Sequence, residues 1–299
     1  MFFVSWDGGR TLHVLRADNT VFPLAAQTVA AEATIDSKAI SLVKKTKGAA
    51  RGQLGSIVRL EGTAPNHSSW IQLAGIAKRY PGLHVVAVIS PNKTQLGAGQ
   101  SPDPDYANGI RLLKANNITV LGALDTHGGK RSEGEIKNQI EHWKIVYNDI
   151  DGIFLNGAFD MEREGHEGYY RDIDNYIKKD MGMNFTVANV GKPIPESYAA
   201  RTDVDVFIIC SDTGYPTISS IRNNEWIHKY PQTRFGIIAS SVPQFAIDLR
   251  NFINLAVGSP SERAIGYVYA HPEHGHIRTI SRRKAALRIG SLQRLATSQ

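Results

Sequence analysis

Eight short, nearly continuous apolar runs constrain this chain most, because a strand reads as unbroken apolar sequence only when both of its faces are covered. The runs fall at residues 56–60, 84–90, 118–124, 151–156, 184–190, 205–210, 234–240 and 264–270. Between most of them lie segments with helical spacing, at 68–80, 105–116, 133–147, 169–179 and 243–257. Strand-then-helix alternation is the signature of a parallel sheet, and eight such units predict a closed (β/α)8 barrel of the TIM type, which takes about 250 residues. An open doubly wound sheet is the structural rival. It calls for a glycine-rich phosphate turn after the first strand, and Leu60-Glu61-Gly62-Thr63-Ala64 is not one.

Both flanks differ from this pattern. Residues 1–50 begin with alternating apolar and polar residues around the turn sequences Asp7-Gly8-Gly9 and Ala17-Asp18-Asn19, then lose any clear period in a basic, glycine-containing stretch. A β-rich arm with a linker is expected there, the barrel over 51–276, and a tail over 277–299. The tail holds six basic residues and no acidic one, so it carries the charge excess of the chain, +6 overall. Its Ala285, Leu287, Ile289, Leu292 and Leu295 allow a short amphipathic helix. Arm and tail are thus the expected contacts for a protein partner or a second copy. Nucleic acid is disfavoured, since no aromatic residue is interleaved among the arginines for stacking. No run of about 18 apolar residues exists, so no membrane helix is expected. The start, MFFVSWDGG, lacks the basic and apolar regions of a secretory signal.

Several stretches carry a family likeness: ISPN at 89–92, SPDPDYANGIRLL at 101–113, ITVLGALDTHGGKRS at 118–132, DGIFLNGAFD at 151–160, VDVFIICSDTGYPTIS at 204–219 and AIGYVYA at 264–270. Together they resemble the spherulin-4 family, whose characterised relatives are glycoside hydrolases of microbial exopolysaccharide. The resemblance implies a barrel and a polysaccharide ligand. It also implies an Asp-Glu pair at the end of the fourth barrel strand, where this chain has Asn156-Gly157. The family's further acid after the sixth strand corresponds to Ser211, beside Asp212, and its tyrosine or histidine after the third strand to Asp125.

Glycoside hydrolysis needs one carboxyl group to protonate the departing oxygen and a second to act as base or nucleophile. An asparagine does not exchange a proton near neutral pH and a glycine has no side chain, so no catalytic residue is expected at 156 or 157. The chain reads as a degenerate hydrolase barrel serving as a carbohydrate-binding or structural subunit. The alternative is an active hydrolase of amino-sugar polymer whose carboxylates have moved to Asp125, Asp160 and Asp212, all just past expected strand ends. Asp160 with Glu162 and Glu164 also reads as an exposed acidic run. A sugar cleft would draw on Asp125, His127, Asn156, Asn189, Asp212 and Tyr215, while Tyr106 reads equally as a helix anchor.

Other motifs exclude more than they suggest. Six residues rather than four separate Gly122 from Gly129-Lys130, so the loop is not a nucleotide-binding P-loop. The HPEHGH stretch at 271–276 lacks helical spacing, and no metal or cofactor is expected. Ser240-Ser241 has no glycine-flanked nucleophile elbow. Cys210, the one cysteine, is expected as a buried strand thiol.

Overall fold

A computed structural model of the chain describes residues 55–60, 68–91, 101–162, 164–213, 225–242 and 265–272, together with the backbone of three strands near the N terminus. The expected helix at 243–257, the tail at 277–299 and Tyr215 lie outside these residues, and of Asp212 only the backbone is described.

Strands β4 (Gly55–Arg59), β5 (His84–Ile89), β6 (Thr119–Asp125), β7 (Gly152–Asn156), β8 (Phe185–Asn189), β9 (Val206–Thr213), β10 (Phe235–Val242) and β11 (Tyr267–Pro272) pair in parallel, each with the next. Tyr267 on β11 pairs with Gly55 on β4 and closes the ring. The chain is therefore a (β/α)8-type barrel, and the open-sheet rival is excluded. The arm's strands β1 (Phe2–Trp6), β2 (Leu12–Arg16) and β3 (Val21–Pro23) form an antiparallel meander whose first strand pairs with β11 at Ser5 and Ala270.

Helices α1 (Ser68–Arg79), α2 (Pro104–Lys114), α3 (Glu133–Val146) and α4 (Glu167–Asn175) fall within a residue or two of their expected places, and a π-helical turn, Tyr176–Asp180, prolongs α4. Local chemistry explains the starts. Asp103 accepts the N–H of Asp105 ahead of Pro104, and Ser132 with Glu135 forms a reciprocal capping box. A further helix, α5 (Glu196–Arg201), spans six residues, too short for periodicity to reveal.

Paired devices tie the N-terminal side of the barrel. Asp151, just before β7, donates its N–H to Val120 on β6 and takes back the Val120 N–H on its carboxylate at 2.8 Å. Asp205, just before β9, does the same with Thr186 on β8, also at 2.8 Å. Each carboxylate is met by a lysine, Lys114 for Asp151 and Lys178 for Asp205. A charge-assisted bond thus fixes strand register twice around the ring.

Within the barrel His84 reaches across several strands, bonding the Tyr267 hydroxyl at 2.6 Å and Thr119 Oγ1 at 2.9 Å and packing on the edge of Phe185. Burial lowers its pKa from the ordinary 6.5, with Asp151 opposing weakly. Because the folded state prefers the neutral ring, His84 contributes stability that is complete above that value and is lost as the pH falls below it. Chemical denaturation of the His84→Gln variant is expected to show a shallower loss of stability between neutral and mildly acidic pH than the parent. An unchanged acid limb would remove His84 from that role.

Candidate functional site at the barrel mouth

Side chains alternate along a strand, so Asp125 lies on the same face of β6 as Thr119 and Asn156 on the same face of β7 as Phe154. Thr119 meets His84 inside the barrel, and Phe154 lies 5.8 Å under the Arg59 guanidinium of β4. Both end residues therefore face the mouth. Asp125 and Asn156 are register partners, and Asn189 Nδ2 of β8 donates to Asn156 Oδ1 at 3.0 Å. Three of the expected residues thus form one polar row across adjacent strand ends, where barrel active sites sit. Ser211 follows on β9, partly exposed, its N–H donated to Gly191.

The loop after β6 is bent sharply over this row. His127, Gly128 and Gly129 all have positive φ, at 51°, 68° and 66°, an unusual conformation for the histidine. Buried Thr126 pins the bend by donating its hydroxyl to the carbonyls of Asn156 and Gly157, while Gly128 N–H donates to Gly157. The Asp125 carboxylate accepts the His127 N–H at 2.7 Å, and the His127 ring lies 3.9 Å away, both side chains well exposed. Arg131 donates to the Asp125 backbone carbonyl at 2.9 Å and to that of Glu135.

Gly157 is the key to the site. Its φ is +68°, and a Cβ there would stand 2.7 Å from Asp125 Oδ1 and 3.6 Å from the His127 nitrogen. The space in which a side chain at 157 would begin is therefore taken by the Asp125 carboxylate. Residue 125 carries an acid where residue 157 has no side chain.

Asp160 sits differently. One carboxylate oxygen takes the Tyr170 hydroxyl at 2.5 Å, the other pairs with His166 Nδ1 at 2.7 Å, and the side chain is 11% exposed. It lies against Gly129, so that a Cβ there would meet it at 2.2 Å. Asp160 latches the loop after β7 to the loop after β6 and is no member of an exposed acidic run. Burial, then the bond to Asp160, drives the Tyr170 hydroxyl pKa far up, which keeps it a donor. Tyr169 beside it donates to the Arg131 carbonyl at 2.9 Å, and burial pushes its pKa up to about 12.

Tyr106 is an anchor: it is buried, set edge-on to Trp70 at 5.7 Å, with its hydroxyl donated to Ser90. Cys210 on β9 is partly exposed, not buried as its apolar neighbours suggest, and it stands where the pairing register of β9 with β10 shifts. Thr126, His166, Tyr170 and Arg59 escape the sequence reading. Only Tyr170 leaves a signal there, since it shares a helical face with Ile173 and Ile177. Among the described residues no group of three or more histidine, cysteine or acidic side chains could hold a metal ion. No helix among them is long and apolar enough to cross a membrane.

Fold and mouth together define a (β/α)8 barrel with a polar row of one carboxylate and two amides at its C-terminal end. The chain belongs to the spherulation-specific family 4, which it matches over residues 63–280. It is 28% identical over 166 residues to Spherulin-4 of Physarum polycephalum, covering 55% of this chain and 46% of that protein, so the chain spans about half the length of this relative. Among solved structures it is similar to Sph3 of Aspergillus clavatus in complex with GalNAc. The TM-score is 0.58 and the identity 20%, over 76% of this chain and 91% of that one.

Proposed function

We propose that this chain binds a polysaccharide at the barrel mouth without cleaving it. The observation that carries the reading is the end of β7: an amide at 156, no side chain at 157, and the space beside residue 157 filled by the Asp125 carboxylate. Hydrolysis requires two carboxyl groups with a proton to pass between acid and base roles. Among the described residues the row offers one, and both oxygens of the nearby Asp160 are engaged. What remains suits recognition, because carboxamides both donate to and accept from sugar hydroxyls. Membership of the spherulation-specific family and the GalNAc held by the Aspergillus protein support a sugar as the ligand.

Titration calorimetry with GalNAc oligosaccharides tests the reading. The Asn156→Ala/Asn189→Ala variant is expected to bind about tenfold more weakly than the parent, the effect of losing roughly two net hydrogen bonds. Unchanged affinity would place the ligand elsewhere. Asp125 also favours a second reading, an active hydrolase with Asp125, Asp160 and Asp212 as relocated acids, since a carboxylate does stand in the space beside residue 157. Assembly with a protein partner or a second copy through residues 1–50 and 277–299 would appear as a defined oligomer in light scattering.

A further inference from the structure

The three residues of the row are unequal in charge, and this asymmetry bears on which sugar fits. Asp125 is 45% exposed, and one of its oxygens is held by the His127 N–H. The His127 ring lies 3.9 Å from that same oxygen. Arg131 contacts residue 125 through the backbone carbonyl and shares its guanidinium with the Glu135 carbonyl, so it makes no ion pair with the carboxylate. Arg59, the last residue of β4, stacks over Phe154. Among the described residues the row thus presents one carboxylate, on β6, followed by the amides of β7 and β8.

We infer that Asp125 makes the mouth selective for amino sugars whose amine is free, over their N-acetylated forms. The inference rests on the proposed sugar-binding role and specifies it. A protonated amine brings three donors and a positive charge to a row that supplies an exposed carboxylate. An acetamide brings one donor, no charge and an acceptor of its own, which a carboxylate repels. The selectivity is local: the chain as a whole carries a formal charge of +6, which disfavours the approach of any cation.

The test uses one galactosamine oligosaccharide in two forms, with its amines free and after complete N-acetylation, titrated into the full chain at mildly acidic pH and low salt. The free-amine form is expected to bind about five- to tenfold more tightly, a margin that shrinks as salt is added. Asp125→Asn, whose side-chain oxygen still accepts the His127 N–H, is expected to bind both forms equally. Equal or tighter binding of the acetylated form by the parent overturns the inference while the sugar-binding role stands. A preference that survives in Asp125→Asn also overturns it, since charge elsewhere would then be responsible. Binding of neither form overturns the sugar-binding role, and the inference falls with it.

Discussion

Placing at position 157 the glutamate that the family resemblance implies is expected to damage this protein rather than to create a hydrolase. A non-glycine residue at φ +68° costs about 1–3 kcal/mol. The new Cβ would press on Asp125 Oδ1 at 2.7 Å, and the new carboxylate would lie beside an existing one. Gly157→Glu, alone or with Asn156→Asp, is therefore expected to lower stability to denaturant by about 2–4 kcal/mol and to leave hydrolysis undetectable. Asp125→Ala removes the obstruction. Combined with Gly157→Glu it is expected to recover part of the loss, giving a coupling of about 1 kcal/mol or more in a double-mutant cycle. Additive effects would mean that the two positions do not share the space described.

The second large effect is expected on the same strand. Gly152 opens β7 where the backbone of β8 comes close, and a Cβ there would stand 1.7 Å from the Phe185 carbonyl oxygen. A backbone carbonyl held in a barrel ladder has nowhere to move. Gly152→Ala is expected to cost at least about 3 kcal/mol, or to prevent folding, as read by the midpoint of chemical denaturation. A loss under about 1 kcal/mol would show that β7 and β8 are more loosely paired than described. Asp151 beside it bonds the β6 backbone, and Phe154 fills the interior, so most of DGIFLN is architecture. Only its last residue and the glycine that follows lie at the barrel mouth, and there the chain departs from the pattern implied by its family resemblance.

That division explains what the sequence reveals. Strand positions are legible because parallel strands covered on both faces leave continuous apolar runs, and helix starts because Asp103-Pro104 and Ser132 through Glu135 are local signals. The polar row is legible in part, since Asp125, Asn156 and Asn189 each follow an apolar run. Their union is not, because it depends on the register of β6, β7 and β8. Asp160 illustrates the limit. Beside Glu162 and Glu164 it reads as a surface acid, yet it is enclosed by Tyr170 and His166 from the next helix and its cap, and by Gly129 from another loop. The Asp151 and Asp205 devices are hidden likewise, each joining residues more than 15 positions apart.

Release of reducing ends from a galactosamine-containing polysaccharide, followed over hours with the same preparation that binds it, tests the central claim most directly. Saturable binding with release no faster than in protein-free controls is the predicted result. Sustained turnover by the purified chain that vanishes in Asp125→Ala would contradict it, and would make the carboxylate beside residue 157 a working catalytic acid.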